Sequence, residues 1–533
     1  MKRIVICLTV IMLVFCLAAC NGADNEGIPG YVKPVGPDGT SDNNISGEIT
    51  VSAYETLTQK AFLEEAASLF EEKYPGTKVN IETFSAMPEI RTAETSGGRM
   101  SAIQMQDDPI ARADYISKVS NSLMSGTGAD ILAVDVLPLY KYVDNNQLVD
   151  LKTLIAKDRD FFLSEYRSNI INALNYNYSL WYMPLEYSFE YYTFDSTLIN
   201  RRAADFGNSS SYDTQKLIEI ASRAFDGSAK IFNMASYSRA GVAGGIGMPS
   251  GLFARMLQEQ YSSLVDVENK EAHFTDGGFA DLLNSVKEYE KLGYVSEGVS
   301  AQADPERLMS GQGGPPQPTE RFFFKPKNNM TLQQHFNRDS GRRMNVMMYS
   351  VGSAIGIEDD DEIAGAQANA LGQVPFTFQY GYAINADSKN QETAWAFIKF
   401  LLSEEIQLST SMNAMSLPIN NAARRKKAEM LISGAFMGMG MRRGQEGQVQ
   451  GQAQDQSPDQ TEDLELDEAQ KEVLAKYIVA SEQLSDLINT YTIRDNVIDD
   501  MIAAEVQYFF DGTKSADEVA EALQGKVELY LNE

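Results

Sequence analysis

The chain has 533 residues, of which 43% are hydrophobic, 10% aromatic and 22% charged, enough material for two or three folded units with their own cores. Its 45 Lys and Arg stand against 74 Asp and Glu, a formal charge of −29 that excludes capture of nucleic acid, which needs a basic face. Two histidines, His273 and His335, and three cysteines, Cys7, Cys16 and Cys20, are too few for a Cys/His zinc centre, and a Ser-His-Asp enzyme would depend on one of those two histidines.

Lys2 and Arg3 precede a charge-free apolar run from Ile4 to Ala19. The run suits the core of a signal peptide and falls short of the ~20 residues that span a bilayer. Leu17-Ala18-Ala19-Cys20 resembles a bacterial lipobox, whose cysteine sulfur takes a diacylglycerol before cleavage. Residues 1–19 are therefore expected to be a signal peptide and Cys20 the lipidated residue. Residues 20–45, polar and rich in Gly, Pro and Asp, read as a flexible linker. Cleavage removes Cys7 and Cys16, so no disulfide is expected.

Ordered structure is expected from Ser46. Glu48–Ala53 alternates and is β-branched, the pattern of a strand. Thr58–Tyr74 places Phe62, Ala66, Leu69 and Phe70 at helical spacing, and Pro75-Gly76 stops it. Thr77–Thr83 alternates again, so the opening reads as β-α-β with a parallel pair. Arg91–Ala113 is polar and reads as an extra loop. Tyr115–Met124 is an amphipathic helix, and Asp130–Val134 a short buried strand. Helices follow between Leu217 and Gly293, including Phe279–Leu292. Gly311–Thr319 reads as a loop, Tyr380–Asn385 as a short strand and Thr393–Gln407 as a helix. Ile498, Ile502, Val506 and Phe510 form one helical stripe, and Ser515 with Glu518 makes a capping box ahead of the last helix. Gly444–Gln470 nearly lacks large apolar groups and is expected to be a disordered insertion. The basic cluster Arg424-Arg425-Lys426-Lys427 reads as a solvated helix face.

Other clusters carry less. Asp499-Asp500 and Asp359-Asp360-Asp361-Glu362 lack the register of a calcium loop. Gly241–Gly247 lacks the Lys-Ser/Thr that completes a phosphate cradle. Neither a cofactor nor a metal is expected.

Six segments, taken in order, are more specific. Gly47–Ile81, Gly128–Leu151, Trp181–Ile199, Phe274–Val295, Gly381–Gln407 with Leu417-Pro418-Ile419-Asn420, and Glu505–Glu533 together resemble the bacterial extracellular solute-binding proteins of family 1. These are the substrate-capturing lipoproteins of ABC importers, many of them sugar-binding. The resemblance implies an α/β, two-lobe periplasmic-binding-protein-like fold of type II-like form, with a central cleft and hinge strands. Lobe one is expected over 46–185 and 304–378, and lobe two over 187–303 and 382–533, with 444–470 inserted in lobe two. Hinges are expected near Glu186–Tyr192 and Tyr380–Asn385.

Sugar capture needs aromatic faces against the C–H side of a pyranose and carboxylates or amides for its hydroxyls. Tyr54 and Glu55 end the first strand, and Asp135 follows the Asp130–Val134 strand, where ligands gather in open α/β sheets. Family position adds Trp181, Glu186 and Tyr187. Tyr237, Phe378 and Tyr380 complete the set of ligand candidates. Each has a plainer alternative: lobe packing for the aromatics, a hinge salt bridge for Glu186, helix caps for the rest. The resemblance implies a non-enzymatic, monomeric binding protein on the outer face of a bacterial cell membrane, held by its lipid. It would hand a carbohydrate, an oligosaccharide first, to permease subunits. Another small polar solute, a repurposed sensor, or a secreted glycoside hydrolase using Glu55, Asp135 and Glu186 remain as alternatives. Cys20→Ala is expected to move the protein from the membrane fraction to the soluble fraction of cells; continued membrane fractionation would refute the lipobox.

Overall fold

The computed structural model describes residues 45–54, 59–84, 90–95, 98–103, 109–199, 206, 209–234, 248–296, 321–328, 332, 361–369, 371–409, 416–433 and 466–533. Cys20, the signal residues, the linker up to residue 44, Glu55, Tyr237, Gly311–Thr319 and all of the 444–470 insertion before residue 466 lie outside them.

The opening is the parallel β-α-β unit read from the pattern. In β1 (Gly47–Tyr54) the alternate residues Ile49, Val51 and Ala53 have no exposed surface. The helix Gln59–Lys73 covers them with Phe62, Ala66 and Phe70, and Gly76 turns the chain at φ +101°. β2 (Thr77–Phe84) then runs beside β1, from Gly47 opposite Thr77 to Tyr54 opposite Phe84. The stretch expected as an extra loop instead begins as an antiparallel hairpin, β3 (Ile90–Thr95) with β4 (Gly98–Ile103), and ends inside the helix Pro109–Met124. β5 (Ile131–Ala133) and β6 (Tyr182–Ser188) join the β1 sheet.

A second sheet starts one residue later. β7 (Glu190–Asp195), β8 (Ser211–Tyr212) and β9 (Lys230–Asn233) belong to it. β10 (Val265–Asp266) and β11 (Glu271–Ala272) form a small separate hairpin. β12 (Val295–Ser296), β13 (Phe322–Asn328) and β14 (Asp361–Gln367) complete the second sheet, whose order is β12-β9-β13-β7-β14-β8.

The chain then returns. β15 (Val374–Ile384), β16 (Leu417–Pro418) and β17 (Ile488–Tyr491) enter the first sheet, whose order is β16-β6-β15-β5-β1-β2 with β17 on β15. β15 has 11 residues where a short strand was expected, because it serves three neighbours in turn: β17 at Val374–Phe376, β6 at Thr377–Ala383 and β5 at Tyr382–Ile384. The sheets therefore divide the chain differently from the expected spans. Phe322–Asn328, inside the 304–378 span assigned to lobe one, pairs with β7 and β9 of the second sheet. Leu417–Pro418, inside the 382–533 span assigned to lobe two, pairs with β6 of the first.

Two further readings change. Asp467 to Gln470, expected in the insertion, form the start of the helix Glu468–Asp486, closed by an Asp467/Gln470 capping box. The basic cluster is not a solvated face: Lys427 is buried, and Arg424 pairs with Glu482 at 2.7 Å. The Ser515/Glu518 capping box forms as read.

Gly381 shows how tightly the first sheet is packed near its junction with the second. A Cβ there would lie 2.5 Å from Phe378 Cε2 and 2.7 Å from Val134 Cγ2. Gly381→Ala is therefore expected to cost ~1–3 kcal/mol through overpacking, read as a lower midpoint in urea melts; an unchanged midpoint would show that Phe378 can move aside freely.

Candidate functional site

The two sheets meet where the chain passes between them. Among the described residues it does so three times. Phe189 alone separates β6 from β7. Residues 368–373 separate β14 from β15. Thr492 to Asp495 lead from β17 to the helix Asn496–Phe510. That helix packs on the second-sheet side: Phe510 meets Phe253 with ring centres 5.8 Å apart, and Lys287 Nζ donates to the Phe509 carbonyl at 2.9 Å.

A cavity of ≈ 290 Å3 sits at this junction, at the lower edge of the ~300–1,000 Å3 range of small-molecule sites. All three crossings line it, with Ser188, Phe189 and Glu190 from the first, Gln367 and Pro375 from the second, and Tyr491, Thr492, Ile493, Arg494 and Asn496 from the third. The first-sheet side adds Asp135, Tyr176, Trp181, Tyr182, Phe376 and Phe378, and the second-sheet side Gln258 and Asn328. Phe378 packs between Tyr182 (5.2 Å) and Tyr491 (5.3 Å), and Phe376 extends the row to Tyr491 at 5.4 Å. Trp181 is fixed by its Nε1–H, which donates to the Tyr176 carbonyl at 2.8 Å. One wall is thus a row of rings, and amides and charged groups stand around it.

The charged groups are held by specific partners. Glu190 pairs with Arg255, which is fully buried. Arg255 also donates to the Tyr192 hydroxyl at 2.7 Å and to Glu259 at 3.3 Å. Glu259 accepts from the Thr214 N–H and hydroxyl and from the Gln367 amide. Arg494 grips Asp499 through Nε and Nη2 and lies over the Tyr261 ring at 4.4 Å. Burial works against the Arg494 charge, but Asp499 more than compensates and its pKa is raised. The neighbouring Asp495 closes the third crossing. Its carboxylate accepts from Tyr140 (2.9 Å) and Tyr530 (3.0 Å), and its N–H donates to the Tyr261 hydroxyl at 3.3 Å.

Asp135 is exposed to the cavity yet ringed by protein. That enclosure pushes its carboxyl up to about 6, against the pull of its neutral donors. These include the Tyr380 N–H at 2.7 Å and the Gln59 amide at 3.3 Å, with the N–H groups of Asp135 itself and Gly381.

The cavity brings together three of the sequence candidates, Asp135, Trp181 and Phe378. Tyr54 ends β1 as expected, but its ring packs on Tyr115 at 5.5 Å and Phe84 at 6.4 Å, away from the cavity lining. Tyr187 is fully buried and donates its hydroxyl to Ser485 at 3.2 Å. Tyr380 is buried at φ +60°, its ring 5.8 Å from Phe62, and its backbone N–H reaches the site at Asp135. Glu186 is 0% exposed and outside the cavity lining. Among the described residues neither of its oxygens accepts a hydrogen bond of good geometry. Burial drives its pKa up, and Lys427 and Ser416 pull it part of the way back. Lys427 is buried too, its pKa driven down, and donates to the Ser416 carbonyl at 2.7 Å.

Sequence reasoning missed Glu190, Arg494 and Tyr491. Glu190 lies inside the aromatic run Trp181–Phe194, where its charge was the available signal. Tyr491 and Arg494 sit between two helices in a stretch without periodicity, and only the fold brings them to the junction.

Residues 345–408 match the family model described as bacterial extracellular solute-binding protein. The chain resembles that family. The match spans β14, β15 and the helix Gln391–Leu401, which carry the return crossing and Phe378. No curated protein matches the chain. Among solved structures, the sugar-binding protein MalE of Xanthomonas citri has a TM-score of 0.50 at 11% identity, over 91% of this chain and 98% of its own. A family 1 extracellular solute-binding protein of Alicyclobacillus acidocaldarius has 0.48 at 14%, over 92% and 100%. The maltose-bound MalE3 of T. maritima has 0.47 at 15%, over 91% and 99%. The likeness to the Xanthomonas protein shows the fold, the two-lobe α/β architecture of periplasmic binding proteins. Among the described residues no helix is long and apolar enough to cross a membrane.

The Glu186–Lys427 pair yields a pH test. Lys427→Met removes the counter-charge and leaves a buried carboxyl whose folded pKa lies above the ordinary 4.5. A carboxyl raised in this way destabilises the fold only above its unfolded pKa. Between pH 4.5 and 8 the buried carboxyl is protonated in both folded proteins, so the loss of melting temperature relative to the parent is expected to stay constant there and to grow above about 8, where Glu186 ionises in the parent beside Lys427 and not in the variant. A loss that does not grow above pH 8 would show that Lys427 does not compensate Glu186.

Proposed function

We propose that the protein is the lipid-anchored, extracellular substrate-binding component of an ABC importer, and that it captures a carbohydrate in the junction cavity and delivers it to the permease. The observation that carries this reading is the composition of one wall set: a row of aromatic rings beside directed hydrogen-bonding groups, enclosed where two sheets meet at short crossings. Rings cover the C–H face of a pyranose, and Asp135, Asn328, Gln258 and Ser188 supply acceptors and donors for its hydroxyls. The resemblance to solute-binding proteins supports the same reading.

The lobes correspond to the two sheets, with closure taken up at Phe189, at 368–373 and at Thr492 to Asp495. The protein works as a monomer on the outer face of the cell membrane, tethered through Cys20, and makes no covalent change to its cargo. Glu186 speaks against the hydrolase alternative, because a carboxyl with no exposed surface reaches no saccharide in the cavity.

A panel of mono- and oligosaccharides screened by thermal shift tests the reading, since a ligand at about 100 times its Kd stabilises by ~2.7 kcal/mol. At least one saccharide is expected to raise the melting temperature, and Trp181→Ala to weaken its binding about tenfold or more. A panel without effect, or new reducing ends after incubation, would overturn it.

A further inference from the structure

We propose that the saccharide taken by this cavity carries a protonated amine. The inference rests on the carbohydrate reading and deepens it. Among the described residues three charged side chains line the cavity: Asp135, Glu190 and Arg494. Two have their charge met within the protein. Glu190 pairs with Arg255, and Arg494 grips Asp499 with two nitrogens. Arg494 Nη1 is left as a donor without a partner, which suits a neutral oxygen, but the charge of the group is offset.

Asp135 differs from both. Its two oxygens accept from a backbone N–H and from an amide, both neutral, and among the described residues it forms no ion pair. A saccharide hydroxyl would complete its hydrogen bonding and leave its charge uncompensated inside an enclosed cleft. An ammonium group does both. The raised pKa of Asp135 is the same cost seen from the proton's side, and a bound cation removes it.

The wall near Asp135 has the matching character. The rings of Tyr182, Phe378, Tyr491 and Phe376 form a continuous row with centre separations of 5.2 to 5.4 Å, and aromatic faces attract cations. Arg255 is shared between Glu190 and Glu259. The whole chain, at −29, draws cations toward it.

The test compares matched pairs that differ in one amine: glucosamine with glucose, galactosamine with galactose, and the glucosamine disaccharide with cellobiose. Calorimetry on the purified full-length mature protein at pH 7.5 is expected to show one amine-bearing sugar binding at least tenfold tighter than its neutral partner. Raising NaCl from 20 to 500 mM should weaken that amine several-fold and leave neutral sugars unaffected. Asp135→Asn should erase the preference while its ligand-free melting curve stays cooperative. Neutral partners binding as tightly as the amines, or tighter, would overturn the amine inference and leave the carbohydrate reading standing. Binding of spermidine with no response to any saccharide would overturn the carbohydrate reading, and this inference with it.

Discussion

One residue, Phe189, stands between a strand of the first sheet and a strand of the second. A strand cannot continue its ladder in two sheets at once, so the chain must change sheets within a single peptide step there. The return crossing and the run from Thr492 to Asp495 come to the same place. The described crossings between the two sheets are therefore gathered on one side of the junction. Whatever lies at the junction is shaped by residues from both sheets and from the crossings themselves. That is why the cavity is lined by all three, and why Phe189, almost without exposed surface, is at once linker, core and wall.

Polar groups buried near such a line need partners, because an unmet donor or acceptor costs about 1–3 kcal/mol. Asp495 meets the requirement by accepting from Tyr140 on one side while its own N–H reaches Tyr261 on the other. The Arg255 cluster does so within the second-sheet side, through Tyr192, Thr214 and Gln367. Glu186 does not, and its two oxygens stay without good hydrogen bonds beneath β16 and β15. Its stability therefore leans on the buried Lys427, a cation on a helix whose neighbouring basic residues face outward or bridge to Glu482.

What could be read from the sequence follows from range. β1, its helix and β2 were legible because their alternation and helical spacing are local, and their burial follows that pattern residue by residue. Asp135 was legible because it follows a buried strand, Trp181 because its segment resembles a family's crossing segment, and Phe378 because it lies just before an expected crossing strand. β15 was read too short because Pro375 interrupts its first half, and the partner that makes it a strand, β17, lies more than a hundred residues away. The same distance hides the membership of β13 and β16. Tyr187, Tyr380 and Glu186 were rightly placed on strands near the junction, yet the face each presents depends on register and on the turn at Tyr380, which sits at φ +60°.

By itself the sequence determined the charge, the α/β character and the family it resembles, since composition, periodicity and short motifs are properties of neighbouring residues. Only the tertiary structure decided which strands share a sheet, which aromatics line the cavity and which support it, and which acid is left without a counter-charge. Those are questions of proximity between residues hundreds of positions apart, and no local pattern encodes the distance from Asp135 to a cation or from Tyr491 to Phe378.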